Sequence, residues 1–242
     1  MLLVQRGLAP TREKAQSYIM AGEVWHGTTR LTKPGVRVPV DMELELRGGR
    51  RYVGRGALKL LDGLRVFGVA ATSRTAVDVG ASTGGFTQVL LEAGARHVYA
   101  IDVGHGQLDA TLRGDPRVTV REGLNARLFD AHTVPEPFSL VVADLSFISL
   151  KLVLPAVLPH AQPEGGALAA EAIVLMKPQF EAGPREVGRG GIVRDPAVHQ
   201  KLCDEFAGWC PAPGWQHVAH APSPITGTEG NVEFLFHYRR RA

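Results

Sequence analysis

One segment of this 242-residue chain restricts its fold more than any other. Thr75-Ala76-Val77-Asp78-Val79 is a short apolar run. It breaks at once into Gly80-Ala81-Ser82-Thr83-Gly84-Gly85, and a new apolar stretch with helical spacing starts at Phe86. A buried strand, a glycine turn and a helix make one unit of a wound sheet. The same rhythm recurs downstream. Strands are expected at 97–102, 117–121, 139–143, 172–176 and 232–238, and helices at 86–93, at 150–158 despite Pro155, and from Asp195-Pro196 onward. Alternating β and α elements predict an α/β fold with a doubly wound sheet.

The chain ahead of this unit has another character. A short helix is expected at 2–8. Thr11 then caps a helix over 12–21 that puts Ala15, Tyr18 and Ile19 on one face and ends at Gly22. Short strands at 23–26, 30–33, 36–40 and 42–46 follow, with a turn at Gly27-Thr28. Residues 1–46 therefore read as a small α+β domain, 47–56 as a linker with four Arg and four Gly, and 57–242 as the body. The body opens on a helix over 57–64 with Leu58, Leu61 and Leu64 on one face and Lys59 off it.

Charge divides along the same line. Residues 1–60 carry a balance of +6 and residues 61–242 one of −3. A basic head on an acidic body suits a part that grips a polyanion, although a solvated basic face explains the asymmetry equally well. Mean hydropathy is −0.01, and no apolar run approaches the ~18–20 residues of a membrane span. The two cysteines, Cys203 and Cys210, form no disulfide framework, and no secretory signal opens the sequence, so reduced thiols in the cytoplasm are expected.

The glycine turn is spaced Gly80-x-x-x-Gly84-Gly85, which is not the dinucleotide pattern. Asp102 closes the next strand, 22 positions after Gly80. A carboxylate about 20 residues on can accept hydrogen bonds from the ribose hydroxyls of an adenosine and would repel a 2′-phosphate. Lys177 follows Ile173-Val174-Leu175-Met176 and precedes Pro178, which favours a strand end there. Asp144 holds the equivalent end of the preceding strand. A structural ion pair is the ordinary reading of such a couple, but both residues stand over the crevice where these sheets bind ligands, which favours chemistry. Glu233 and Lys59, each taken alone, read as solvated charges.

Five motifs together resemble a known family: Arg55-Gly56-Ala57-Leu58-Lys59-Leu60, Asp78-Val79-Gly80-Ala81-Ser82-Thr83-Gly84-Gly85-Phe86-Thr87, Tyr99-Ala100-Ile101-Asp102-Val103-Gly104, Asp144-Leu145-Ser146-Phe147-Ile148-Ser149 and Lys177-Pro178-Gln179-Phe180-Glu181. In this order they are similar to the TlyA family of ribosomal RNA ribose 2′-O-methyltransferases, whose members were once named haemolysins. Residues 8–16 and 32–35 resemble a small RNA-binding domain named after a ribosomal small-subunit protein. The chain departs from the family pattern at His26, where Asn is usual, and at Gly54, where Ser is usual. It also lacks the Arg-Leu-Asp-like residues that usually precede the first helix.

The resemblance implies a Rossmann-like methyltransferase sheet, mostly parallel with the last strand antiparallel, and S-adenosylmethionine as cofactor with no metal. It implies a catalytic set Lys59, Asp144, Lys177 and Glu233, the last following Gly230-Asn231 as in the family. Lys177 would be the general base, kept neutral by desolvation and by the second cation Lys59, with Asp144 orienting it. Asp78, Gly80, Ser82, Thr83, Gly84, Gly85, Phe86, Asp102, Val103, Asn125 and Asp144 would line the cofactor. Arg6, Arg12, Lys14, Arg30, Lys33, Arg47, Arg50, Arg51 and Arg55 would hold phosphates of ribosomal RNA, which positions without reading sequence. Residues 188–191 read equally as a lid or as a plain surface loop. The implied target is a cytidine, in either subunit RNA. A pore-forming haemolysin, a nicotinamide oxidoreductase and a non-catalytic RNA-binding factor are the competing classes.

Overall fold

Strands β4 (Thr75–Val79), β7 (Leu140–Ala143) and β8 (Glu171–Met176) are buried at every position in the computed structural model, which describes residues 1–9, 11–20, 22–46, 52–164 and 169–241. Continuous burial is what a sheet covered on both faces requires, and it explains why these segments read as unbroken apolar runs. Chain contacts separate residues 1–51 from 52–242, and each unit has its own core.

The small unit holds α1 (Leu2–Gln5), α2 (Arg12–Met20) and an antiparallel sheet ordered β2-β1-β3, with β1 Val24–His26, β2 Thr29–Leu31 and β3 Glu45–Leu46. Leu3, Ala9, Ala15 and Val24 form its core. Thr11 Oγ1 accepts the Lys14 amide at 3.2 Å, as a cap should, and Gly22 adopts φ +69° past the helix end. The first helix stops at Gln5, short of residue 8, because Gly7 turns left-handed. The strand expected over 36–40 does not form. The Arg6 guanidinium takes the Val40 and Met42 carbonyls at 2.6 Å each, and Val36, Val38 and Val40 line a cleft of about 590 Å³ with Leu2 and Ile19. Of the strand expected at 42–46 only Glu45–Leu46 pairs.

The large unit begins at Tyr52, so residues 52–56 of the expected linker belong to it, and Tyr52 is buried. It contains α3 (Gly56–Phe67), β4, α4 (Gly85–Glu92), β5 (His97–Ile101), α5 (Ala110–Arg113), β6 (Val118–Arg121), β7, α6 (Leu150–Val157), β8, α7 (Pro178–Glu181), α8 (Pro196–Gly208), β9 (Trp215–Pro222) and β10 (Phe234–Arg240). The sheet order is β6-β5-β4-β7-β8-β10-β9. Its strands run parallel except β10, which is antiparallel to both neighbours. One apolar layer packs Val77, Val141 and Val174 with residues of α6 and α8. The other packs Ala76, Val142, Ile173 and Leu235 with residues of α3 and α4.

In the large unit two readings need correction and one strand was not expected. The expected Leu58–Leu61–Leu64 face of α3 is not the packed one: Leu58 and Leu61 are exposed, while Ala57, Lys59, Leu60, Gly63 and Leu64 are buried. Gly63 brings the helix onto the sheet, since a Cβ there would stand 3.2 Å from Ile173. Strand β9 escaped notice because it is a half-exposed edge strand. A bulge at its own Val218 breaks the alternation, and Pro222 ends it. The final strand starts at Phe234, leaving Glu233 just ahead of it.

Candidate active site

The chain fills the sheet outward from β4 through β5 to β6, then returns to lay β7 against the other edge of β4. Strand order reverses there, and a crevice opens at the carboxyl ends of the strands. The glycine turn after β4 and Asp144 after β7 lie side by side at that point. Gly80 has φ +85°, and a Cβ on it would stand 2.7 Å from the Asp144 carbonyl oxygen. Only glycine meets both demands.

Four charged side chains converge beside this turn. Lys59 arrives from the first turn of α3, Asp144 from the end of β7, Lys177 from the end of β8 and Glu233 from the entry to β10. Lys59 Nζ lies 2.6 Å from Glu233 Oε2 and 3.8 Å from Asp144 Oδ2. Lys177 Nζ lies 2.7 Å from Asp144 Oδ1 and donates to Ser146 Oγ at 2.8 Å. The result is a chain Glu233–Lys59–Asp144–Lys177 with alternating sign. Lys59, Lys177 and Glu233 are buried, while Asp144 keeps 19% of its side chain open. The two ammonium positions sit on different oxygens of one carboxylate, so Asp144 both links and separates them. Gly227 packs against the Glu233 carboxylate, where a Cβ would fall 2.6 Å from Oε1.

The turn residues fall into two groups. Gly80 is part-exposed, and Ser82 and Thr83 are exposed beside it. Asp78 and Phe86, both expected at the cofactor, are buried among core residues behind the turn. Asp78 accepts the Thr87 hydroxyl at 2.7 Å. Burial pushes its carboxyl up to about 7; the Thr87 hydrogen bonds oppose the shift, and the charges of Asp144 and Asp102 add to it. Gly84 and Gly85 are buried too, packed toward Leu108 and Leu112 and toward Ala57.

Asp102 ties the crevice together. Its carboxylate accepts the Ser82 amide at 2.8 Å and the Gly104 amide at 2.7 Å. Each oxygen retains a lone pair for a ribose hydroxyl. Val103 and Leu128 are exposed apolar residues following β5 and β6 and suit a flat ring. Asn125 spends its side-chain oxygen on the Arg127 amide at 3.1 Å, capping a short turn, which leaves only its NH2 for a ligand.

Sequence reasoning missed Phe147. It is 90% exposed and left-handed at φ +64°, with its ring centroid 5.4 Å from that of Phe180. An apolar ring held open to solvent against Phe180, whose own ring lies 6.0 Å from Lys177 Nζ, is a signal that only the tertiary structure reveals. Residues 188–191 are anchored: Asn231 donates to the Gly191 carbonyl at 3.0 Å and accepts the Val193 amide at 3.0 Å.

The basic residues proposed for phosphate contact differ among themselves. Arg12, Lys14 and Lys33 are exposed on the small unit. Arg6 and Arg30 bind backbone carbonyls of their own unit, the latter Gly22 at 2.6 Å, and so shape it. Arg55 donates to the Thr226 carbonyl at 3.3 Å within the large unit. Arg47, Arg50 and Arg51 lie outside the described residues, as do Pro10 and Ala21.

Comparison with known proteins adds to this geometry. The model of the FtsJ-like methyltransferase family matches residues 52–240. The chain is 44% identical to the 16S/23S rRNA (cytidine-2′-O)-methyltransferase TlyA of Mycobacterium tuberculosis, over 98% of this chain and 87% of that one. It is 35% identical to hemolysin A of Brachyspira hyodysenteriae, over 96% and 95% of the two chains. Among solved structures, a "putative hemolysin" from Streptococcus thermophilus superposes with a TM-score of 0.74 at 39% identity, covering 99% of this chain and 86% of that one.

Proposed function

The chain belongs to the FtsJ-like methyltransferase family, and from that premise we propose that it methylates the ribose 2′-hydroxyl of a cytidine in ribosomal RNA. The observation that carries this reading is the Glu233–Lys59–Asp144–Lys177 chain at the mouth of the strand-reversal crevice. S-adenosylmethionine, when bound, supplies an electrophilic methyl group and takes back the electron pair of the broken S–C bond. The residues left open beside the turn fit its parts. Gly80, Ser82 and Thr83 offer close backbone approach to an amino-acid end, Asp102 offers carboxylate lone pairs to the ribose, and Val103 and Leu128 offer apolar surface to the adenine.

A ribose hydroxyl attacks only as its proton leaves. Lys177, having first released its own ammonium proton to solvent, takes the hydroxyl proton onto Nζ while the new O–C bond forms, and passes it to water afterwards. Asp144 holds the amine through Oδ1 and receives Lys59 on Oδ2, so the two lysines keep fixed places. Glu233 anchors Lys59 at 2.6 Å. Holding oxygen, methyl carbon and sulfur in line contributes about 7–11 kcal/mol when the alignment is good. Arg12, Lys14 and Lys33 of the small unit supply phosphate contacts, which predicts a steep loss of affinity with salt. Phe147 offers its open face to the target base. The substrate is ribosomal RNA, free or within a subunit, which places the protein in the cytoplasm. Against a pore-forming role, no helix among the described residues is long and apolar enough to cross a membrane.

The test is methyl transfer from labelled S-adenosylmethionine to ribosomal RNA, with the modified ribose mapped. The Lys177→Ala variant is expected to lose ~10²–10⁴-fold in turnover with cofactor affinity within a few fold. Normal turnover by that variant would remove Lys177 from its role.

A further inference from the structure

We propose that Ser146 is a positioning residue for the Lys177 amine, a part that rests on the general-base reading above. An amine able to accept a proton has two N–H groups and one lone pair. Lys177 Nζ rests in ion contact with Asp144 Oδ1 at 2.7 Å, and the hydrogen bond it donates goes to Ser146 Oγ at 2.8 Å. The Asp144 contact is ionic and directs no single N–H, so with Asp144 alone the lone pair could take any staggered position about the Cε–Nζ bond. The hydrogen bond to Ser146 pins one N–H, and the Asp144 carboxylate draws the other, which leaves the lone pair for the incoming hydroxyl.

Two further observations set Ser146 apart from an ordinary loop serine. It is exposed, so water could satisfy its hydroxyl, yet the oxygen receives a lysine that is itself buried. The residue after it, Phe147, is held at φ +64°, a conformation that an aromatic side chain adopts at a cost and that clusters where geometry serves a site. The turn so formed carries Ser146 Oγ back over the end of β8. The Phe180 ring, 6.0 Å from Lys177 Nζ, covers the amine on another side.

The experiment compares Ser146→Ala and Ser146→Thr with the parent full-length chain, using ribosomal RNA and S-adenosylmethionine. Ser146→Ala is expected to lower kcat about tenfold, the worth of one ordinary hydrogen bond, while the KM of each substrate stays within twofold. Ser146→Thr restores the hydroxyl and should recover kcat to within about threefold of the parent. Unchanged kcat in the alanine variant, a loss confined to KM, or no rescue by threonine would overturn the proposal. Lys177→Ala run alongside separates the two failures: if it retains turnover, the general-base reading falls; if it is inactive while Ser146→Ala turns over normally, only the role of Ser146 falls.

Discussion

The two ends of the central sheet carry similar clusters of buried charge and put them to different use. At the carboxyl end of β8, Lys177 begins the chain through Asp144 and Lys59 to Glu233. At the amino end of the same strand, Glu171 receives Arg74 on Oε2 at 3.0 Å, and His237 and Arg239 on Oε1 at 3.0 and 2.9 Å. The second cluster is the more crowded around a single carboxylate, with Glu171, Arg74 and His237 buried and Arg239 exposed. Burial opposes its ionisation, yet the bonds from His237 and Arg239 and the charge of Arg74 hold the Glu171 carboxyl down to about 2. What it lacks is an opening at a strand reversal and a carboxylate shared between two lysines. Buried charge by itself does not mark a reactive site; the proposal for the first cluster rests on its place at the sheet's open end.

Amide replacements of equal shape at the two ends break or sharpen this contrast. The largest effect is expected from Asp144→Asn and Glu171→Gln measured side by side. Asp144→Asn should cut transfer ~10²-fold or more while the melting temperature moves little, because the side chain is part-solvated and each lysine keeps another partner. Glu171→Gln should cost about 3–5 kcal/mol in stability, since Arg74 is left buried without its counter-ion. The surviving folded protein should turn over at the parent kcat. Equal losses of turnover in both variants would erase the distinction between the ends.

A smaller effect is expected at the mouth of the site. Phe147→Ala should weaken RNA binding by the worth of one stacked base, about 1–3 kcal/mol, and leave S-adenosylmethionine affinity unaltered. Equilibrium binding of each ligand to the variant decides it; an unchanged RNA affinity would mean that the exposed ring has no such partner.

The smallest contrast is a pH dependence. The folded Asp78 carboxyl, raised to about 7, titrates above its unfolded value of 3.8. The unfolded chain therefore ionises first, and Asp78 costs stability progressively as pH rises from about 4 to about 7. The Glu171 carboxyl has the opposite sign: its contribution is present above the unfolded value of 4.5 and lost as pH falls toward about 2. Thermal melts from pH 5 to 8 should show Asp78→Asn gaining on the parent as pH rises, and parallel curves would refute the buried, ionisable Asp78.

Much of the site was readable in the chain because its signals are local. Lys177-Pro178 ends an apolar run, Asp144 ends another, and the turn from Gly80 stands between strand and helix; a few neighbours suffice to identify each. Lys59 enters the catalytic set only through the resemblance, because its local pattern reads as a solvated charge. Helix α3 has leucines at 58, 60, 61 and 64, so two apolar stripes are possible, and only packing chooses between them. Glu233 looked like an edge charge until β10 was seen between β8 and β9. Strand β9 stayed hidden because edge strands bury only part of their surface and so carry a weak apolar pattern.

The amino-acid sequence by itself determined the wound sheet, the glycine turn and which charged residues terminate the strands, since strand period and two-sided burial are written into short segments. The tertiary structure alone decided that Lys59 faces inward, that Asp144 is shared between two lysines, that Ser146 reaches Lys177 and that Asp78 and Phe86 are buried among core residues. Those outcomes depend on distances between segments far apart in the chain, and a difference of one ångström in such a distance separates a hydrogen bond from none.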